Sequence, residues 1–410
     1  MKALVVAGGL PQITLINELK ERGVETVLVD GSATPIAKDY ADKFYQINIF
    51  DVDAVKAIAQ TEKVDFAITV CADQVLLVVA QISEELGLPW YIDYSTAKKV
   101  SDKELMKRIF MENDIPTSRY IVLDEFDLKK AEHLTYPLIV KPVDAYSSKG
   151  VKKVKDESEL KTAFDEAKAI SRSKKVIIEE FFDGEEISVD LFIEDGKAHV
   201  LCISNSEKIE DDNHFVIFRG KYPVHASKKL MREIADVSQK IADAFGLKNA
   251  PMLVQMLTDG CKVSVLEFCA RTGGAMKWLL IQHASGVDVI NGVIDLAMGI
   301  KPDIQVKPPE TKYIVNEFIY CKAGIYDHIE GFDEQLKKGN ITDYRIIRPY
   351  GWQFSGMITS STDRLCGVTF QANTISELNR KHDEFIGATK VVDLFGNDIM
   401  RHDLLREFTD

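Results

Sequence analysis

The chain is 410 residues long, 46% hydrophobic and 28% charged, with a formal net charge of −13 at pH 7. A chain of this size forms roughly two to four compact units. The acidic balance argues against nucleic-acid binding driven by phosphate neutralisation. The lysine-rich pieces, such as Lys152-Lys153 and Lys228-Lys229, are short and scattered, as on solvated faces. No apolar run approaches the ~20 residues of a membrane span, so a membrane is not expected as a partner. Cys71, Cys202, Cys261, Cys269, Cys321 and Cys366 form no CxxC pair, which fits reduced thiols in a cytoplasmic protein. The opening MKALVVAGG enters a strand at once and lacks a signal-peptide pattern.

In chain order, residues 2–7 read as a buried strand, Gly8-Gly9 as a turn, and the stretch to Arg22 as a helix stopped by Gly23. Strands follow at Thr26–Val29 and Phe66–Val70, then a helix to Leu86. This alternation predicts a parallel sheet with helices on its faces over residues 1–95. Asp30 at a strand end suggests a ribose contact, but Ala7-Gly8-Gly9-Leu10-Pro11 is not G-x-G-x-x-G, and a nicotinamide site is set aside. Ser101-Asp102-Lys103 opens a helix, with Ser101 or Asp102 as N-cap. Strands are expected at Leu138–Val140, Val151–Val154, Val176–Glu180 and Ile187–Ile193, and helices at 158–170, 227–245 and 276–298. Lys307-Pro308-Pro309 reads as a linker before a last α/β region.

Four stretches carry candidate chemistry. Lys141 ends the apolar strand LIVKP, where a projecting lysine suits a phosphate and equally suits a solvated edge. The loop Tyr146-Ser147-Ser148-Lys149-Gly150 is small and polar, able to fold backbone N–H groups over phosphates, though it is no Walker A loop. In VIIEEFFDGEE an apolar strand ends in Glu179 and Glu180, followed by Phe181, Phe182 and, past a turn, Glu186. Such a strand end can read an adenine edge with its backbone, sandwich the ring with an aromatic and offer an acid to ribose hydroxyls. It also suits an exposed acidic loop.

The fourth stretch, LVQMLTDGCKVSVLEFCARTGG over 253–274, reads as a hairpin whose apolar strands are interrupted by Gln255 and Glu267. Unpaired buried polar groups cost a few kcal/mol each, and a hard cation such as Mg²⁺ would remove that cost. A turn at 260–262 sets the two side chains face to face, about 5 Å apart at Cβ. A turn at 258–260 separates them by roughly 13 Å, too far to share an ion. The metal reading requires the later turn.

Taken together, Lys103, Lys141, the Ser-Ser-Lys-Gly loop, EEFF-x-x-x-E, Gln255, Glu267 and Arg271 resemble the ATP-grasp superfamily, in the branch of biotin carboxylase, carbamoyl-phosphate synthetase and the L-amino-acid ligases. The resemblance runs over essentially the whole chain. It implies a multi-domain α/β (α+β) fold: a pre-ATP-grasp parallel-sheet domain over 1–95, two ATP-grasp subdomains clamping ATP over 96–305, and a C-terminal α/β domain over 306–410. By the same resemblance Lys103 and Lys141 contact ATP phosphates, and the loop with Ser147, Ser148 and Gly150 closes over them. Glu179, Glu180 and Phe182 lie at the adenine and Glu186 holds the ribose. Gln255 and Glu267 bind Mg²⁺ (or Mn²⁺), Arg271 stabilises an acyl-phosphate, and Thr272-Gly273-Gly274 borders the substrate.

The implied activity is carboxylate–amine ligation through an acyl-phosphate, on small-molecule carboxylate and amine substrates. A purine-pathway or bicarbonate-using ligase is the alternative enzyme, and a homodimer is a family-level expectation. One position departs from the family pattern E-x-N-x-R: Cys269 stands where the metal-ligating Asn is usual, and a neutral thiol is a poor Mg²⁺ ligand. A non-catalytic ATP-binding module is the reading that departure would favour. Within Ser204–Pro223, Lys208, His214 and Arg219 are candidates for contacts to a substrate carboxylate, or ordinary surface charges.

Overall fold

The computed structural model describes residues 1–145, 149–209, 215–274 and 276–409. Ser147 and Ser148 of the expected phosphate loop, and His214 of the expected substrate segment, lie outside the described residues.

Strands β1 (Lys2–Val6), β2 (Glu25–Asp30), β3 (Lys43–Gln46) and β4 (Phe66–Ile68) form a parallel sheet in the order β3-β2-β1-β4. Helices Leu10–Glu21, Val52–Glu62 and Asp73–Leu86 alternate with these strands in the chain. A parallel sheet covered on both faces needs apolar residues throughout, and Ala3 to Val6 are fully buried. Their alternation splits them: Ala3 and Val5 pack in one core, Leu4 and Val6 in another. Asp30 serves the turn above β1, accepting from the Gly8 and Ser32 backbone N–H groups at 2.7 Å each. Gly8 cannot carry a side chain, because a Cβ there would stand 2.7 Å from the Pro35 ring.

Strands β5 (Tyr120–Leu123), β6 (Leu138–Pro142), β7 (Lys152–Val154) and β8 (Val176–Glu180) make an antiparallel sheet in the order β5-β8-β6-β7. Helix Glu157–Ile170 covers it through Leu160, Ala163, Phe164 and Ala167.

The third sheet joins β9 (Glu185–Glu194), β10 (Lys197–Lys208), β11 (Ile217–Tyr222), β12 (Ala250–Thr258) and β13 (Val263–Cys269) to strands from the C-terminal part of the chain. Those are β14 (Tyr313–Tyr320), β16 (Asp343–Ile346) and β18 (Arg364–Ala372), while β15 (Gly324–Glu330), β17 (Gln353–Phe354) and β19 (Lys390–Asp393) form a small separate sheet. The large sheet runs β13-β12-β9-β10-β11-β14-β18-β16. The boundary expected at 305/306 therefore falls inside a region that shares one sheet, since β11 pairs with β14 through Arg219↔Glu317.

The helix expected over 276–298 is two helices, Lys277–Ser285 and Val289–Ala297. Gly286 ends the first in a left-handed conformation, φ +73°, which glycine adopts without strain. Asp288 then caps the second by accepting from the Asn291 N–H.

Candidate active site

The hairpin turns late. Asp259 accepts from the Cys261 and Lys262 N–H groups at 2.9 and 3.0 Å, and Gly260 takes φ +85°. The register that follows sets Gln255 directly opposite Glu267, with a bulge just beyond, between Gln255 and Met256. Gln255 donates its amide Nε2 to Glu186 Oε1 at 3.0 Å, and Lys208 pairs with Glu186 Oε2 at 2.7 Å. Lys208 therefore stands beside Glu186 and over the Phe215 ring, 5.1 Å from its centroid.

Helix Lys103–Glu112 starts at Asp102, whose carboxylate accepts from the Glu104 and Leu105 N–H groups. That cap aims the first residue, Lys103, at Glu267 Oε2, 2.9 Å away, and Lys103 also donates to the Ala145 carbonyl at 3.0 Å. Burial opposes the charge on Lys103, but the Glu267 carboxylate outweighs it and the ammonium is held above its usual range. Glu267 is likewise lowered: burial works against it, and Lys103 and then Lys141 more than compensate.

One helical turn on, Lys107 is buried and meets Glu179 at 2.8 Å and the Thr117 hydroxyl at 2.6 Å. The other Glu179 oxygen accepts from Lys141. Burial alone would raise the Glu179 pKa, yet Lys107 and Lys141 bring it down to about 2. Lys107, desolvated, is lowered. Glu180 turns to Arg119, at 3.0 and 2.5 Å, and to the Thr135 N–H.

Arg271 is gripped by Asp73, the first residue of helix Asp73–Leu86, through two bonds of 2.6 and 2.5 Å. Burial opposes its charge, but Asp73 holds the guanidinium well above its usual range. The Cys269 thiol, between Glu267 and Arg271 in sequence, is pushed well above its ordinary value by burial and by the Asp73 charge. It stays neutral beside the Asp73 carboxylate. Lys277 reaches the Ser204 hydroxyl at 2.5 Å and the buried Asp190 at 3.3 Å.

Two cavities meet here. One, about 330 Å³, is lined by Lys141, Lys149, Glu179, Glu180, Phe181, Phe182, Glu186 and Lys208, with Ile139, Leu257 and Leu266 as apolar walls. The other, about 260 Å³, is lined by Asp73, Cys269, Arg271, Gly273, Gly274, Lys277, Asn316, Phe318, Ser361 and Arg364. Lys103, Gln255, Glu267 and Ile217 line both and form the shared wall. Gly150 closes tightly beside the first cavity: a Cβ there would stand 2.7 Å from Ile170 and 3.0 Å from Pro142.

Arg219, a sequence candidate for substrate, is instead enclosed, with Glu317 at 2.8 and 2.5 Å, Glu207 at 3.2 Å and the Arg406 carbonyl at 2.6 Å. Asp73, Lys107, Lys277 and Arg364 escaped sequence reasoning. For Lys107 a signal existed, the i+4 spacing from Lys103. The pairing of Asp73 with Arg271 has no local signature.

The donor set fits a hard cation. Gln255, with its nitrogen turned to Glu186, offers an amide oxygen across from the Glu267 carboxylate. Among the described residues no group of three His, Cys, Asp or Glu could hold an ion by itself. Mg²⁺ is bound by one or two carboxylates together with substrate phosphates, and Glu267 offers one such carboxylate opposite Gln255.

Residues 134–278 match the model of the ATP-grasp domain and residues 17–90 that of the ATP-grasp N-terminal domain. The chain belongs to the ATP-grasp superfamily of enzymes. A formate-dependent phosphoribosylglycinamide formyltransferase of Bacillus velezensis is 26% identical over 254 residues, which make up 60% of this chain and 64% of that relative. The chain thus spans less than two thirds of that relative's own length. The crystal structure of an L-amino acid ligase from Bacillus licheniformis superposes with a TM-score of 0.80 at 18% identity, covering 96% of this chain and 99% of that one. The biotin carboxylase domain dimer of the Hydrogenobacter thermophilus 2-oxoglutarate carboxylase, in complex with MgADP, ADP and bicarbonate, superposes with a TM-score of 0.79 at 14% identity, covering 98% and 92%. At these identities the solved structures show a common fold.

Proposed function

We propose that the chain is an ATP-dependent carboxylate–amine ligase of the amino-acid-ligase type. The observation that carries the reading is the shared wall. Lys103, Gln255 and Glu267 face an apolar-walled cavity with lysines on one side and a cavity with Arg271 on the other. A nucleotide in the first and a carboxylate in the second would meet at that wall.

In the first, Ile139, Leu257, Leu266 and Phe182 offer apolar surface to a ring, and Glu186 an acceptor for ribose hydroxyls. Lys103 and Lys141 carry the positive charge that phosphates need. Gln255 and Glu267 would hold Mg²⁺, which supplies charge neutralisation at the phosphates. In the second cavity Arg271 orients the substrate carboxylate and offsets charge on the transferring group. The carboxylate oxygen attacks the γ-phosphorus while the bond to the ADP oxygen breaks. An amine then adds to the acyl carbon, loses a proton and expels phosphate. The demand on the protein is positioning and electrostatics.

The non-catalytic reading rests on Cys269, a neutral thiol where a metal ligand is usual. One screen separates the two: ADP release with Mg²⁺ and ATP across amino acids, singly and in pairs, with product mass naming the amine. Turnover by any pair supports the ligase. Nucleotide binding with no ADP from any acid overturns it.

A further inference from the structure

The second cavity has a lining cation, Arg364, that the reaction described above does not use. Four cations line the cavity: Lys103, Arg271, Lys277 and Arg364. The first three have carboxylates at hand, in Glu267, Asp73 and Asp190 respectively. Arg364, only 6% exposed, has none among the described residues. Its Nε donates to the Tyr320 hydroxyl at 3.1 Å, its Nη2 to the Ile217 carbonyl at 2.5 Å, and its carbon lies 3.8 Å from the centroid of the Phe318 ring.

A buried cation without a counter-ion is costly, and proteins retain one where a ligand supplies the missing charge. The other arginines buried in this region obey the rule: Arg219 has Glu317 and Glu207, and Arg271 has Asp73. The two bonds and the ring beneath pin the Arg364 guanidinium in one plane, with further N–H donors left over from its five. A guanidinium so fixed is suited to two-pronged capture of a carboxylate or phosphate.

The surroundings hold Arg364 in place. Arg364 stands opposite Tyr320 in the β14–β18 register, and Phe318 stands opposite Gly367. A Cβ on Gly367 would press to 3.1 Å from the Phe318 ring and 2.3 Å from the Met276 sulfur, so glycine keeps the platform under Arg364 in place. Ser361 and Asn316 line the same cavity and add polar groups.

We infer that Arg364, stacked on Phe318, binds a second anionic group of the substrate, so that the molecule in this cavity carries one carboxylate to be activated beside Glu267 and another anion held by Arg364. This rests on the ligase reading for the identity of the first group only; the anion subsite stands on Arg364 itself.

The test has two arms on the full-length chain. In the turnover arm, ADP release with Mg²⁺ and ATP is compared for near-isosteric pairs: L-glutamate against L-glutamine, L-aspartate against L-asparagine, and O-phospho-L-serine against L-serine, each alone and with a second amino acid. We expect the charged member of at least one pair to be preferred by about tenfold to a hundredfold in kcat/KM, the value of hydrogen bonds to a charged group. The preference should collapse toward one in R364Q and survive in part in R364K. The pair that responds tells carboxylate from phosphate. Equal use of both members in every pair overturns the proposal, as does an R364Q variant that keeps the preference.

In the binding arm, glutarate and inorganic phosphate are titrated calorimetrically into the protein without ATP. Binding that weakens tenfold or more in R364Q supports the subsite even if no acid yields ADP, which would sink the ligase reading alone. No binding of either probe to the unaltered protein overturns the subsite even if ligation is found. Should R364Q fail to fold, the pair preference and the titrations of the unaltered protein decide by themselves.

Discussion

Arg271 and Asp73, 198 positions apart, share two hydrogen bonds of 2.6 and 2.5 Å. The first belongs to the segment after the hairpin, the second to a helix of the N-terminal parallel-sheet region. Beside them the Cys71 thiol meets the Gly273 carbonyl at 3.1 Å, and the Tyr91 hydroxyl meets the Ala270 carbonyl at 2.9 Å. The N-terminal region thereby fixes the arginine that faces the second cavity.

Asp73→Asn should lower kcat about tenfold or more, since it removes the counter-charge that orients a buried guanidinium. The KM for ATP should move little, because Asp73 lines the second cavity and not the first. A coupled ADP assay with separate ATP and acid titrations checks this. A change confined to the ATP KM would contradict the assignment.

Glu267→Gln and Gln255→Ala should each raise the Mg²⁺ concentration needed for half-maximal ATP binding, by roughly tenfold. The expectation follows from their opposed register. Nucleotide binding titrated against Mg²⁺ measures it, and an unchanged midpoint in both variants removes the hairpin as the metal site.

Cys269→Asn should lower the Mg²⁺ requirement and raise turnover, by restoring an oxygen donor beside Glu267. In the unaltered protein the Cys269 thiol stays neutral through pH 9, since burial and Asp73 both hold its pKa up. Iodoacetamide at pH 8 should therefore label the exposed Cys261 well before Cys269, as read by peptide mass spectrometry. Preferential labelling of Cys269 would refute the neutral-thiol account.

Glu179→Gln leaves Lys107 and Lys141 without their common partner and should destabilise the fold by about 3–5 kcal/mol near neutral pH. Folding lowers the Glu179 pKa from 4.5 to about 2, so the unfolded chain takes up its proton first as pH falls. This contribution is fully present above pH 4.5 and is lost on acidification toward pH 2. The gap in Tm between the unaltered and variant proteins should narrow over that window, and a gap that stays constant would show that the pair is not the cause.

Much of the local structure was legible in advance. β8 occupies the expected Val176–Glu180, and helix Asp73–Leu86 ends at the expected Leu86. Apolar periodicity and the Gly and Asp punctuation are local signals, and they carried these elements. Gly286 shows where they fall short: the pattern over 276–298 predicts one helix, and this glycine divides it into two.

By itself the sequence determined the order of the reactive groups, the polar interruptions at Gln255 and Glu267, and the departure at Cys269, because each lies within a single strand or loop. Only the tertiary structure decided the hairpin register that sets Gln255 opposite Glu267, the partnership of Asp73 with Arg271, the enclosure of Arg219 by Glu317, and the place of Arg364 in the lining of the cavity. The physical reason is range. Propensity and periodicity report on neighbours a few residues away, whereas buried charges are paired by whichever distant carboxylate the packed sheets bring within hydrogen-bonding reach.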